Sequence, residues 1–135
     1  AGCQALDALD GIGPVTAVAI WAELGDVGRF SSSRFAVRHA GLDITVYASD
    51  TKRTPGKLAR QGPPVLRWAL FEAATCAARA SSPDHAYYRQ VKQRLGGNRA
   101  TLAVARKLAR RCYHTLRALG DAALAPVGTD LGQVA

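Results

Sequence analysis

Val65 to Arg79, VLRWALFEAATCAAR, decides how the chain folds. Leu66, Ala69, Leu70, Ala73 and Ala77 recur three and four residues apart, and Trp68 and Phe71 lie beside that stripe. A helix that is apolar on more than one side belongs in the middle of a bundle, so this segment is expected to be the central buried helix of a mainly α domain. Trp21, Trp68 and the three Phe residues are read as core rather than as platforms for stacked bases.

Working outward, the chain reads as short helices punctuated by Gly and Pro, with no internal repeat and no sustained alternation of the kind strands show. Ala1 to Leu9 enters in mid-pattern, as the last turns of a helix, and suggests a piece of a longer protein. Pro14 to Leu24 carries Val15, Val18, Ala19 and Ala22 at helical spacing, with Pro14 suited to the first turn and Gly25 to the stop. Ser32 or Ser33 can cap a short helix to Ala40, ended by Gly41. Ser82-Pro83 starts a helix over Asp84 to Leu95, and Gly96-Gly97 breaks it. The last helix, Arg99 to Leu119, sets Leu102, Ala105, Leu108, Cys112, Leu116 and Leu119 on one face. Arg99, Arg106, Lys107, Arg110, Arg111 and Arg117 fall on the other, a basic face suited to a row of phosphates. One domain over 1–119 followed by a loosely ordered tail over 120–135 is the expected organisation.

Charge narrows the partner. Residues 1–50 carry three basic residues against six acids, whereas residues 51–117 carry fifteen basic residues against Glu72 and Asp84 alone. Such a basic half attracts polyanions and argues for nucleic acid, against an acidic protein partner or a plain solvated surface. No apolar run approaches a bilayer span and no signal peptide opens the chain, so a cytoplasmic location without a membrane partner is expected. Cys3, Cys76 and Cys112 are far apart, with no CxxC and only scattered His39, His85 and His114, so neither zinc nor a disulfide is expected. No metal site is expected in this chain.

Two segments carry candidate chemistry. In Leu9 to Ala17, LDGIGPVTA, two glycines bracket Ile12 between helical patterns, which resembles the hairpin of helix-hairpin-helix modules. Gly11 and Gly13 permit a tight turn that leaves backbone N–H groups, with Thr16 in the first helical turn, to hold a phosphate oxygen. A turn that only packs two helices is the alternative. Gly41 to Arg67, GLDITVYASDTKRTPGKLARQGPPVLR, is a polar, non-helical segment expected to be an irregular loop. It bears Ser49 among Lys52, Arg53, Lys57, Arg60 and Arg67; a serine in such a loop is by default a turn residue.

The succession GIGPVTA, ELGDVGRFSS, HAGLD, VYASD, ARQGPPVLRWALFEAA and ARKLARR, in that order from about Leu6 to Leu119, resembles the C-terminal domain of the insertion-sequence one-ten family of transposases. The resemblance implies a bridge-RNA-guided DNA recombinase in which an N-terminal RuvC-like domain, bearing acidic metal ligands, works with this serine-bearing domain. It implies DNA and a guide RNA as partners, a homo-oligomer, and Mg2+ held through the other domain. The position matching the family's serine is Ser49 in Ala48-Ser49-Asp50, where Asp50 stands in place of the usual glycine. The implied role is a nucleophile that attacks a phosphodiester and holds one DNA end as a phosphoserine. Arg60-Gln61-Gly62 with Val65-Leu66-Arg67 is similar to a basic segment of the same family, which implies that Arg67 points to DNA or the serine loop; an ordinary basic loop before a core helix is the alternative.

A serine hydroxyl needs a base, a metal or electrostatic help, and the basic residues around Ser49 supply the last of these. Asp43, Asp50 and Glu72 are isolated, so the fragment alone is expected to be catalytically silent. Tyr47, Tyr87, Tyr88 and Tyr113 lack the Arg/His/Lys set of a tyrosine recombinase. The rival readings are a non-catalytic helix-hairpin-helix module that binds DNA or RNA and assists assembly, and an oligomerisation domain whose basic face meets an acidic partner.

Overall fold

The computed structural model describes residues 1–42 and 62–124, together with the backbone of 44–49 and 52–58. Among these residues the protein is mainly helical, with six α-helices: α1 Gly2–Asp7, α2 Pro14–Leu24, α3 Ser33–His39, α4 Pro64–Ala74, α5 His85–Leu95 and α6 Gly97–Leu119. Short 3-10 turns cover Val27–Arg29, Thr75–Ala78 and Gly120–Leu124. No helix of the described residues is long and apolar enough to cross a membrane.

The central position of α4 follows from its stripe: Leu66, Ala69 and Leu70 are fully buried, and Ala73 and Ala77 nearly so. It packs against α2 on one side and α6 on the other. The long α6 is the second axis of the fold, touching α1, α3, α4 and α5, and it buries Leu108, Cys112 and Leu116. Each such leucine contributes about 1.5–3 kcal/mol of apolar transfer. The Cys112 thiol is sealed in this core, and burial pushes its pKa up to about 12. A thiol held neutral in this way is a packing group.

The face assigned to α2 needs correcting. Val15 is 72% and Val18 55% exposed, and Ala22 is exposed as well, whereas Ala17, Ile20 and Leu24 are buried. The helix is apolar nearly all round, so two stripes satisfy the same spacing, and the fit against α1 and α4 selects the other one. Trp68 and Phe35 also leave the core, at 49% and 44% exposed. Trp21 lies half-buried and its indole Nε1 donates to the carbonyl of Ala123 at 2.6 Å. That contact docks Gly120–Leu124 onto the bundle, although the tail was expected to be loose from Gly120 onward; residues 125–135 lie outside the described set.

The segment expected to be irregular also differs. Ile44–Ser49 (β1) and Lys52–Leu58 (β2) pair as an antiparallel two-stranded ladder, with Ile44 opposite Leu58 and Ser49 opposite Lys52, and a register shift between Thr45 and Tyr47. The run Ile-Thr-Val-Tyr is rich in β-branched and aromatic residues, which favours a strand, and its shortness hid the alternation. Pro55 and Gly56 are tolerated in β2 because a two-stranded ladder has only edge strands.

Candidate nucleic-acid interface

The turn between α1 and α2 is built around Gly11 at φ +84°, where an added Cβ would lie 2.6 Å from the carbonyl oxygen of Ala73. Glycine is required there twice, for the left-handed backbone and for the close approach to the end of α4. Ile12 beside it is buried, which fixes the turn to the core. Gly13 differs: its φ is −95°, and a Cβ placed on it would meet nothing within 4 Å. It caps α2, and Thr16 braces the cap, the Gly13 amide donating to Thr16 Oγ1 at 3.0 Å and that hydroxyl donating to the Gly13 carbonyl at 3.1 Å. The helix begins at an open position, and the N–H groups of its first turn have no i−4 acceptor, the arrangement an anion site uses. The α1, turn and α2 unit is consistent with the helix-hairpin-helix expected from the sequence.

Asp10, next to this turn, accepts a hydrogen bond from Ser82 Oγ at 3.3 Å, and the Ser82 hydroxyl in turn accepts from the Asp84 amide at 3.2 Å. Asp84 is nearly buried and is held by Arg111 through two bonds at 2.5 Å, from Nη1 to Oδ2 and from Nη2 to Oδ1. The Arg111 hydrogen bond holds the Asp84 carboxyl below its ordinary pKa; burial opposes the shift, and the charges of Arg111 and Lys107 add to it. Arg111 is raised by the same bond, with Asp84 and Asp10 contributing through their charges. This chain of contacts ties the α1–α2 turn to α5 and α6.

The basic face expected on α6 is therefore not one open row. Arg111 serves Asp84, and Arg106 donates from Nη1 to the carbonyl of Leu42 at 3.3 Å. Lys107 sits 3.9 Å over the Tyr87 ring, and Arg117 donates to the Tyr113 hydroxyl at 2.8 Å. Arg110 is exposed. A long cation spends its charge wherever an acceptor lies within its reach, and the helical wheel shows only direction, not acceptors.

The Arg106 contact matters for the serine-bearing segment, because Leu42 is one root of the hairpin and is fully buried. Gly62 is the other root, and a Cβ there would run into the backbone of His39, Ala40 and Gly41. The two roots are thus clamped side by side at the end of α3. From that base the backbone pairs Ser49 with Lys52, Ala48 with Arg53 and Thr45 with Lys57. Ser49 and three of the basic residues singled out in the sequence share one ladder; Arg60, with Asp43 and Asp50, lies outside the described residues. Arg67 stands on the first turn of α4, and its Nη1 is buried without a hydrogen-bond partner, as is Nε2 of His39.

A divalent ion finds no donor set here: the described residues bring together no group of three His, Cys, Asp or Glu side chains.

Residues 3–89 match the family described as Transposase IS116/IS110/IS902 family. The chain is 28% identical over 109 residues to the transposase for insertion sequence element IS1111A of Coxiella burnetii, covering 78% of this chain and 30% of that protein. It is 29% identical over 111 residues to a probable family 20 transposase of Pseudomonas aeruginosa, covering 79% of this chain and 33% of that protein. The chain thus spans about a third of the length of either relative.

Proposed function

The chain belongs to the IS116/IS110/IS902 transposase family, and from that membership we propose that it is the DNA-engaging, serine-bearing domain of a transposase that recombines DNA through Ser49. The observation that carries the reading is the clamped hairpin, which sets the Ser49 backbone opposite Lys52 and beside the Ala48–Arg53 pair. A nucleophile at that place has cations within the same ladder to offset the charge that gathers on a phosphoryl group under attack.

In the proposed step, the Ser49 oxygen forms a new P–O bond while the bond from phosphorus to a deoxyribose oxygen breaks. The serine proton passes to a base and the leaving oxygen takes up a proton, so one phosphodiester is exchanged for another and nothing is oxidised. A phosphoserine joins one DNA end to the protein until a second DNA oxygen displaces it. The α1–α2 turn holds a neighbouring phosphate through the α2 N-terminus, with Gly11, Gly13 and Thr16 shaping that site. Lys52, Arg53, Lys57, Arg60 and Arg67 are assigned to offset the charge of the cleaved strand; on α6 the exposed Arg110 adds to the field, while Arg106, Lys107 and Arg111 act through the fold that holds the hairpin root and the α1–α2 turn.

Such backbone contacts position DNA without reading its sequence, which leaves target choice to a guide RNA. Since the described residues offer no donor set for Mg2+, the acid ligands of the reaction are proposed to come from a RuvC-like domain of the same or a second protomer. On that reading the isolated chain is inactive and the working transposase is an oligomer.

The test is a denaturing-gel assay for a covalent protein–DNA adduct, using the full-length transposase that carries this sequence, its RNA, target DNA and magnesium. An adduct that maps to Ser49 and vanishes in Ser49→Ala is the expected result. Recombination that survives the substitution without any adduct would reduce the domain to a nucleic-acid clamp.

A further inference from the structure

The basic residues of α5 were not among those singled out in the sequence, and they are spread over the exposed side of the helix. Arg89, Lys92 and Arg94 are all exposed, and α5 contains no acidic residue. The helix ends at Gly96, and the chain turns directly into α6, whose Arg99 is also exposed. Among the described residues these four cations form no ion pair; the one salt bridge in this part of the fold is that of Arg111 with Asp84. Gln90 and Gln93 are exposed between them and add neutral hydrogen-bonding groups. The family match ends at residue 89, so Lys92, Arg94 and Arg99 lie beyond it.

We propose that this α5 face, continued round the Gly96 corner to Arg99, is a second DNA-binding surface that grips the phosphate backbone of a duplex. The inference rests on the reading of the chain as a DNA-engaging transposase domain. Four exposed cations without an ion pair among the described residues, of which Lys92 lies 5.8 Å from the Tyr88 ring centroid, complement a polyanion, and their attraction does not depend on base sequence. The occupant is a duplex rather than a single strand, because single strands are held by exposed aromatic platforms. On α5 Tyr88 is buried and Tyr87 is half-buried with Lys107 across its face.

The surface also begins at the right place. Ser82, three residues before α5, is bonded to Asp10 at the α1–α2 turn, so α5 starts beside the proposed phosphate site at the head of α2. Its eleven residues span about 16 Å. A duplex carries one charge per roughly 1.7 Å of its axis with both strands counted, so that length of duplex holds about nine phosphates, and four cations need fewer than half of them.

The test is salt-dependent binding of a 30-base-pair duplex of arbitrary sequence to the full-length protein, followed by fluorescence anisotropy. In a variant with Arg89, Lys92, Arg94 and Arg99 all replaced by Gln, the slope of log affinity against log salt should shrink by about 3–4, or about 0.9 per cation lost. Between 50 and 200 mM salt the wild type should then lose roughly a hundredfold more affinity than the variant. Arg89→Lys, Arg94→Lys and Arg99→Lys together keep the charge and should keep the slope. Single Arg89→Gln and Arg94→Gln proteins, each expected to lose about 0.9 of slope, serve if the fourfold variant does not fold.

An unchanged slope overturns the proposal, and so does a loss confined to single-stranded RNA. The covalent adduct at Ser49 is read separately. Adduct with an unchanged slope sinks this surface and leaves the serine reading, whereas a reduced slope without adduct sinks the serine reading and leaves this surface.

Discussion

Helices α5 and α6 meet at Gly96, and both are amphipathic and rich in Arg and Lys, yet their cations have different fates. On α6, Arg111 closes on a nearly buried carboxylate, Arg106 reaches a backbone carbonyl, Lys107 covers a tyrosine ring and Arg117 bonds a tyrosine hydroxyl. On α5, Arg89 and Arg94 stand in solvent, and Lys92, also exposed, lies more loosely over a ring, 5.8 Å from the Tyr88 centroid. The difference lies in the neighbours: α6 crosses the interior and packs against four other helices, whereas α5 leans chiefly on α6. Net charge in a sequence counts both kinds alike. Only the exposed kind supplies a salt-sensitive field for a polyanion, while the engaged kind holds the fold together.

The contrast is broken most directly through the cores of the two helices. Leu108→Ala on α6, at a site 2% exposed, should cost about 3 kcal/mol of unfolding free energy in a denaturant titration. Leu95→Ala on α5, at a site 49% exposed, should cost less than about 1 kcal/mol. Equal losses would mean that α5 is as embedded as α6.

Next in size is the ion pair. Arg111→Ala leaves the Asp84 carboxylate nearly buried without its partner and should cost about 2 kcal/mol at neutral pH. The sign of its pH dependence follows from the lowered pKa of Asp84. The pair's contribution is fully present above the unfolded carboxylate value of about 3.9 and is lost as pH falls through the lower folded value. Stability curves of wild type and Arg111→Ala should therefore converge on acidification below about pH 4 and run parallel above it. A gap that persists at pH 2 would mean that Arg111 acts by packing its stem instead.

Smaller again is the cation over a ring. Lys107→Ala removes the ammonium 3.9 Å from the Tyr87 centroid and should cost about 0.5–1 kcal/mol, with Lys107→Arg restoring most of it. Smallest is Arg94→Ala on α5, whose stability should stay within about 0.5 kcal/mol of wild type by thermal melting. A larger loss there would mean that its charge is engaged after all, which would count against α5 as a free surface.

Several features were legible beforehand for identifiable reasons. The stripe on α4 was readable because Leu66, Ala69, Leu70 and Ala73 recur three and four residues apart, with Arg67 and Glu72 off that stripe. The ends of α2 were readable because Pro14 and Gly25 are strong punctuation, and the observed helix runs from Pro14 to Leu24. The buried face of α2 was not readable, because Val15 and Val18 are as apolar as Ala17 and Ile20. The β1–β2 ladder was missed because Pro55 and Gly56 speak against a strand wherever both edges are paired, and among the described residues neither strand has a second neighbour. Of the residues proposed to meet nucleic acid, Gly11, Gly13 and Thr16 come together in one turn, as their spacing suggested. The α6 cations did not form the single row that a helical wheel predicts. The α5 cations went unremarked, although the absence of acids from 85 to 95 was a usable signal.

The sequence by itself determined the helical class, the places where helices start and stop, the basic bias of residues 51–117 and the glycines of the α1–α2 turn. These are local properties, set by backbone freedom, periodicity and composition, and they need no knowledge of neighbours. Tertiary structure decided which of two apolar faces α2 buries, which arginines are spent on carbonyls and carboxylates, and where the serine-bearing hairpin is clamped. Those choices depend on acceptors and surfaces brought from far along the chain, as when Leu42 meets Arg106 or Ser82 meets Asp10. A one-dimensional pattern carries no information about which partner arrives first within hydrogen-bonding distance.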